Sequence, residues 1–200
     1  VDGRGSQFGI IDEGRIFQAK GREFDVRELL GGDTALAERF AGGSFTTLYL
    51  APRDYHRVHM PLDGTLERMI HIPGRLFSVN PATTRAVPRL FARNERVAML
   101  FATPAGPMAV VMVGAMLVGS IETVWTGEIT PPRGKRIREW RYGDGHEPAV
   151  TLKRGNELGR FNMGSTVILL FPRRTVEWTS DLGPDSRVLV GQRIGTTHRP

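Results

Sequence analysis

A long uncharged stretch limits the folds open to this chain. No residue from 97 to 121 carries a charge, and a run of this length resembles a helix that spans a membrane. Breaks are too frequent for such a helix, and they fall at Pro104, Gly106, Pro107, Gly114 and Gly119. Valine, methionine and isoleucine dominate the pieces between them, which is typical of buried strands. We therefore predict strands at 97–101, 108–113 and 115–121, folded against one another.

Short strands and few helices are expected in the rest of the chain. Glycines separate short apolar pieces in the first 24 residues, a spacing that favours short strands joined by tight turns. Further strands are predicted at 44–50, 166–171, 176–178 and 188–190. Asp25, followed three residues later by Glu28, resembles a capping box that opens a short helix. Asp33 is expected to cap a second helix over 34–40.

These elements predict a mostly β fold with a minor α component (α+β). We expect a single compact domain of short antiparallel strands, a flattened barrel or sandwich related to the barrel-sandwich hybrid folds, with two short helices. A chain of 200 residues is long enough for one substantial core, and nothing in it demands a second domain.

Composition excludes several kinds of site. The chain has no cysteine, which excludes disulfides, cysteine metal ligands and thiol nucleophiles. Its formal net charge is +6, but basic residues are interleaved with acids along the chain, so we do not expect nucleic-acid binding. The same charge would suit an anionic membrane surface. No metal site is expected either, because His56 and His59 have no third ligand at a recognisable spacing.

The step from Gly164 to Ser165 is the main candidate for chemistry. It lies between two apolar segments, so it is typical of a tight turn that leads into a buried strand. Gly164 has no side chain, which leaves its carbonyl open to attack by the hydroxyl of Ser165. Such a hydroxyl needs a base, and the chain offers His56 and His59 for this task, with Asp2 as a carboxylate. An ordinary turn serine would also fit this pattern.

Several short segments of the sequence, taken in order, resemble the phosphatidylserine decarboxylase family. They are VDG, APRDYHRVHMP, LFSVN, LFARNERV, VGSIETVW and GRFNMGSTVILLF, and the resemblance covers nearly the whole chain. That family is made as inactive proenzymes that cut themselves before the serine of a Gly-Ser-Thr motif. The resemblance implies a cut between Gly164 and Ser165, which gives chains 1–164 and 165–200 that remain packed together.

The resemblance also implies roles for the site residues. His59 would be the general base that activates Ser165, and Asp2 would orient its imidazole, whereas His56 would serve decarboxylation. Ser165 would become a pyruvoyl group, a covalent cofactor that forms a Schiff base with the amine of phosphatidylserine and accepts electrons as carbon dioxide leaves. The product would be phosphatidylethanolamine.

The loop at 76–80 is expected to meet the substrate. Ser78 and Asn80 carry side chains that would hydrogen-bond a phosphate or carboxylate, while Phe77 would contact lipid. An ordinary turn with paired polar groups explains these residues equally well.

The expected setting is a membrane. The resemblance implies a peripheral enzyme on the cytoplasmic face of a bacterial cell membrane, with phosphatidylserine in an anionic membrane as its partner. The chain begins with Val1 rather than methionine, and we expect it to lack a helical, membrane-associated segment upstream. Whether the enzyme forms a homodimer is left open by these residues.

Two other functions stay open at this point. A serine hydrolase would use Asp2, His59 and Ser165 on external esters and would keep its chain intact. A noncatalytic carrier-like β domain would need a modified lysine, for which Lys20 is the candidate. Carrier lysines are flanked by methionine or alanine at an exposed hairpin tip, whereas the flanks of Lys20 are Ala19 and Gly21.

Overall fold

A computed structural model describes residues 1–19, 21–116, 118–132, 134–164 and 166–198 of this chain. Its strands are β1 (Gly3–Ile10), β2 (Arg15–Ala19), β3 (Arg22–Asp25), β4 (Ser44–Tyr49), β5 (Arg57–His59), β6 (Gly64–Ile72), β7 (Arg96–Thr103), β8 (Gly106–Val113), β9 (Ile121–Thr123), β10 (Gly127–Thr130), β11 (Arg138–Arg141), β12 (Thr151–Leu152), β13 (Glu157–Phe161), β14 (Thr166–Phe171), β15 (Val176–Trp178), β16 (Arg187–Val188) and β17 (Gly195–Thr197). Its helices are α1 (Val26–Leu29), α2 (Thr34–Glu38), α3 (Pro81–Ala86) and α4 (Leu90–Arg93). Lys20 and Ser165, two residues singled out by the sequence, lie outside the described residues.

The largest sheet has the strand order β11-β6-β7-β8-β14-β4-β1-β16, and β12 also pairs with β6. Its neighbouring strands are antiparallel. β14 lies inside this sheet, between β8 and β4, and all six of its residues are buried. Thr166, its first residue, pairs with Val113 of β8 and with Tyr49 of β4. The Gly-Ser step therefore leads into a strand that is held on both sides.

Most predicted strands of this sheet are confirmed. The uncharged stretch supplies β7 and β8, which pair along their whole length and are almost entirely buried. The strands predicted at 44–50 and 166–171 are β4 and β14. The strand predicted at 188–190 is shorter, because β16 ends at Val188 and the next two side chains are exposed.

The strand predicted at 115–121 is wrong. Of the described residues in that range, only Ile121 belongs to a strand, as the first residue of β9. The N–H of Val118 donates to the carbonyl of Ala115, and Gly119 has a φ of +73°. A closed turn and a left-handed glycine bend the backbone, so this apolar segment forms a loop rather than an extended strand.

A second sheet carries the histidine segment. Its order is β10-β9-β13-β5, and its neighbouring strands are also antiparallel. β5 ends at His59, and β13 leads through Gly164 towards β14. Two further strand pairs, β2 with β3 and β15 with β17, complete the described sheets. The mostly antiparallel β architecture in one compact domain is thus confirmed, and its sheets are open.

The helix count differs from the prediction. Asp25 and Asp33 cap α1 and α2 through side-chain oxygens that accept from Arg27 N and Leu36 N, as expected. The described residues hold two more helices, α3 and α4, so four short helices replace the predicted two. α3 buries none of its residues, and it therefore lacks the apolar stripe by which a helix is recognised in a sequence.

A buried arginine joins α1 to the central sheet. Arg96, in β7, donates from Nε to the carbonyl of Leu29 at 2.7 Å and from Nη1 to the carbonyl of Asn94 at 2.8 Å. Its Nη2 donates to the carbonyl of Glu28. Burial lowers the pKa of Arg96 to about 10, so the side chain remains charged at neutral pH. Arg96 thereby satisfies the Leu29 carbonyl at the end of α1 and adds to the bond that the Glu28 carbonyl accepts from Gly31 N.

Candidate active site

The segment before β14 is held by the backbone on several sides. Phe161 N donates to the carbonyl of His56 at 3.1 Å, and Met163 N donates to that of Val118 at 3.1 Å. A Cβ atom at Gly164 would lie 2.8 Å from the carbonyl oxygen of Leu50 and 2.9 Å from the backbone nitrogen of Pro52. Only glycine fits this approach.

His59 has a hydrogen bond at each ring nitrogen. Nδ1 lies 2.8 Å from the carbonyl oxygen of Gly155, and Nε2 lies 2.9 Å from the hydroxyl of Tyr55. A carbonyl only accepts, so Nδ1 carries the proton, and Nε2 of the neutral ring accepts from the tyrosine. The rings of Tyr55 and His59 also stack, with centroids 5.7 Å apart. The base predicted by the sequence thus has an acceptor lone pair on Nε2.

Asp2 is held elsewhere. Its Oδ1 accepts from the backbone N–H of Val190 at 2.8 Å, and the residue is half-buried just before β1. None of these hydrogen bonds, among the residues that the structure describes, joins Asp2 to His59. The predicted role of Asp2 in orienting His59 stays a prediction, and the group that contacts Nδ1 is the Gly155 carbonyl.

His56 presents a buried nitrogen. Its Nε2 is buried and has no hydrogen-bond partner among the residues that the structure describes. Thr166 has a buried Oγ1 in the same condition. Buried polar atoms are normally paired, so the unpaired atoms of His56 and Thr166 leave hydrogen-bonding capacity for a further group.

Asn94 connects the predicted substrate loop to the site. Its Oδ1 accepts from Phe77 N, and its Nδ2 donates to the carbonyls of Phe77 and Gly114, each at 2.9 Å. Gly114 follows Val113, the partner of Thr166. The loop is therefore fastened to the end of β8 next to β14. The sequence predicted no role for Asn94, because it lies among charged residues and no pattern marks its contacts.

Asn80 is committed to the fold. Its Oδ1 accepts from Ala82 N and Thr83 N and caps α3, while its Nδ2 donates to Ser78 Oγ at 3.3 Å. These contacts match the alternative of an ordinary turn with paired polar groups. Phe77 packs under the guanidinium of Arg93, 4.7 Å from the ring centre. The substrate-binding roles of Phe77, Ser78 and Asn80 stay predictions.

A cavity of about 770 Å³ opens beside His59. Alternate side chains of β14 form one wall, namely Val167, Leu169 and Phe171, and Trp178 contributes another. Its size lies in the range of sites for small molecules, and this wall is apolar. Among the described residues, no helix is long and apolar enough to cross a membrane, and no cluster of three or more metal-binding side chains is present.

Comparison with known proteins decides the family. A family model described as phosphatidylserine decarboxylase matches residues 1–196. The chain belongs to the phosphatidylserine decarboxylase family. Its relatives include phosphatidylserine decarboxylase proenzymes from Azotobacter vinelandii, 60% identical over 195 residues, and from Polaromonas sp., 55% identical over 194 residues. A third, from Photobacterium profundum, is 59% identical over 187 residues.

These alignments cover nearly all of this chain but only part of each relative. For the three relatives, in the order named above, the alignments include 98%, 97% and 94% of this chain. They include 68%, 68% and 64% of the relatives themselves. The chain thus spans about two thirds of the length of the phosphatidylserine decarboxylase proenzymes it matches. The resemblance seen in the sequence is confirmed, and it places the chain in a family of decarboxylases, which are lyases.

Proposed function

We propose that this protein decarboxylates phosphatidylserine, releasing carbon dioxide and leaving phosphatidylethanolamine. The observation that carries the proposal is the family match over residues 1–196, together with relatives at 55–60% identity whose names state this activity. The apolar wall of the cavity beside His59 supports a lipid substrate.

Maturation by self-cleavage is part of the proposal, and the word proenzyme in the relatives' names supports it. The hydroxyl of Ser165 attacks the carbonyl carbon of Gly164, and the peptide becomes an ester with a free amine. Elimination then breaks the Cβ–O bond of Ser165, which releases the Gly164 carboxylate and leaves a dehydroalanine. Tautomerisation and hydrolysis of its imine release ammonia and leave the pyruvoyl group. The bare Cα of Gly164, against the Leu50 backbone, supports this site of attack.

The residues around the Gly-Ser step fit a small carbonyl-bearing group. The unpaired Nε2 of His56 is suited to hydrogen-bond it or its substrate. When present, the pyruvoyl group condenses with the substrate amine and accepts the electrons freed by loss of the carboxylate. His59 takes the proton of the Ser165 hydroxyl at Nε2 during maturation, and His56 supplies a proton to the substrate during turnover.

The two processed chains remain associated in this proposal. Position 165 would begin the small chain, and that chain would contribute β14 to the middle of the large sheet. β14 pairs from Thr166 to Phe171 with β4, and from Thr166 to Leu170 with β8. Ladders on both sides and complete burial of the strand support continued association after the peptide bond is cut.

A peripheral position on an anionic membrane completes the proposal. Met116 is 66% exposed and Met163 is 45% exposed, and they lie on two segments joined by the bond from Met163 N to Val118 O. Exposed apolar side chains next to the site are suited to enter lipid. The net charge of +6 favours anionic headgroups.

Replacing the serine tests the proposal directly. We expect Ser165→Ala to abolish both self-cleavage and decarboxylation, because no hydroxyl remains to attack Gly164 and no pyruvoyl group forms. Mass spectrometry under denaturing conditions measures cleavage, and carbon dioxide release from phosphatidylserine in detergent micelles measures activity. Ser6→Ala, a serine outside the site, is the matched control. Decarboxylation by an uncleaved Ser165→Ala protein, or an intact wild-type chain with full activity, would contradict the proposal.

A further inference from the structure

The orientation of His59 depends on a backbone carbonyl. For Nε2 to accept a proton from serine, Nδ1 must keep its own, and the Gly155 carbonyl holds it there at 2.8 Å. We propose that Asp63 is a positioning residue for His59, because it anchors the turn at 153–156 that presents this carbonyl. The inference rests on the proposed role of His59 in self-cleavage.

The turn has a defined geometry. Asn156 N donates to the carbonyl of Lys153 at 2.9 Å and closes a four-residue turn. Gly155, at the third position, has a φ of +85°, which is typical of a type II turn. A Cβ at Gly155 would meet nothing within 4 Å. Glycine is therefore favoured here by the backbone angle and not by a lack of space. The direction of the Gly155 carbonyl is therefore set by the turn.

Two sets of hydrogen bonds fix the turn beside β5. Met60, the residue after His59, accepts from Gly155 N and donates to the carbonyl of Asn156, each at 2.9 Å. These backbone bonds set the distance between the turn and the histidine strand. Asn156 Oδ1 also accepts from Lys153 N at 2.9 Å, so these bonds leave only Arg154 N, on the other side of the turn, without an acceptor.

Asp63 holds that other side. Its Oδ1 accepts from Arg154 N at 2.8 Å, and its Oδ2 accepts from Lys153 Nζ at 3.0 Å. The Arg154 N–H, and then the lysine, lower the pKa of Asp63, so the acceptor is ionised at neutral pH. The backbone angles of Arg154 set the plane of the peptide that leads into Gly155. Holding its N–H therefore limits movement of the carbonyl that His59 contacts.

The rate of self-cleavage tests this role in the full-length protein, made by cell-free synthesis and followed on denaturing gels. Asp63→Ala should slow cleavage about threefold to tenfold, the rate equivalent of one lost hydrogen bond. Asp63→Asn keeps an oxygen for Arg154 N and should cleave at close to the wild-type rate. Lys153→Met should also match wild type, because the ion pair is exposed, with 73% of the lysine side chain accessible.

Turnover separates positioning from general damage to the fold. Once cleavage is complete, the Asp63→Ala enzyme should decarboxylate at the wild-type rate per cleaved molecule, because His59 acts in maturation and His56 in turnover. An equal loss in cleavage and turnover would contradict the inference. So would wild-type cleavage by Asp63→Ala, or cleavage by Asp63→Asn as slow as that of Asp63→Ala.

A second measurement does not depend on cleavage. In the Ser165→Ala protein, the ¹⁵N signals of the His59 ring report which nitrogen carries the proton. Adding Asp63→Ala should increase the fraction with the proton on Nε2, and an unchanged ratio would overturn the inference. Failure of wild-type protein to cleave would contradict the proposed function instead, and the ring signals would still decide the role of Asp63.

Discussion

The hydroxyl of Tyr55 occupies the His59 nitrogen that would accept a proton from serine in the proposed self-cleavage. Tyr55→Phe would keep the stacked ring and the bond from Nδ1 to Gly155, and would remove only the donor on Nε2. We expect this variant to cleave itself about twofold to tenfold faster, since one competing hydrogen bond is lost. The fraction of processed chain against time, from synthesis onwards, measures the effect.

Tyr142→Phe is the matched control for this substitution. Its hydroxyl accepts from Trp125 Nε1 at 3.0 Å, away from the His59 contacts, so its cleavage rate should not change. Slower cleavage by Tyr55→Phe would show that the hydroxyl assists His59 and would contradict its role as a competitor. Damage to the fold would slow self-cleavage. A faster rate would therefore indicate loss of the hydrogen bond from the Tyr55 hydroxyl to His59 Nε2.

At the scale of single residues, the sequence indicated the close packing of a glycine but not the hydrogen-bond partners of the polar side chains. The close packing of Gly164 was predictable, because glycine between two apolar segments indicates a backbone approach that a side chain would prevent. The contact of His59 with Gly155 was not, because every residue has a carbonyl and only the folded turn selects one. The partners of Asp2 and Asn80 could not be predicted either. Both side chains accept from backbone N–H groups, which every residue except proline has.

At the scale of elements, α1 depends on the sheet. A helix of four residues is too short to be stable alone, and Arg96 satisfies carbonyls at its end. Arg96→Met should destabilise the protein by about 2–4 kcal/mol, because the carbonyls of Leu29 and Asn94 lose the donors that Arg96 supplies. Urea unfolding of the uncleaved Ser165→Ala protein, which unfolds as one chain, measures the loss.

Arg96→Lys is the informative comparison. An ammonium would reach fewer of the three carbonyls than the planar guanidinium does, so its loss of stability should be intermediate. A loss below about 1 kcal/mol for Arg96→Met would mean that other groups or water satisfy these carbonyls.

Strands and helices were predicted correctly where the sequence has a clear apolar run or a helix-capping residue. Apolar runs bounded by proline or glycine predicted β7 and β8, and an acidic cap predicted each of α1 and α2. The segment 115–121 has the same apolar composition, but its bend at Gly119 depends on a backbone angle that composition does not reveal. α3 was missed because it buries nothing, although Asn80 and Pro81 form a recognisable helix start.

At the scale of the whole molecule, one face is expected to meet lipid. Met116→Asp should weaken binding to vesicles containing phosphatidylserine about fivefold, because a charge near an anionic surface changes the binding energy by about 1 kcal/mol. Sedimentation with vesicles measures the change. Ile10→Asp is the matched control, since Ile10 is 65% exposed against 66% for Met116.

The control adds the same charge at the opposite end of the sheet. Ile10 pairs with Ser44, which pairs with Phe171, the last residue of β14, whereas Gly164 lies before its first. Ile10→Asp should therefore bind vesicles much as wild type does. Equal losses in the two variants would mean that net charge alone sets binding, and no loss in Met116→Asp would remove this face from the membrane contact.

The interior place of β14 has a consequence for the lifetime of the enzyme. Before the cut, the sheet assembles within a single polypeptide, and all of its strands arrive together. Afterwards, denaturation would free two separate pieces that drift apart, and rebuilding the sheet would become a second-order encounter that slows with dilution. The protein would thus fold as a single chain only before cleavage. Once it is cleaved and active, refolding would require its two chains to associate.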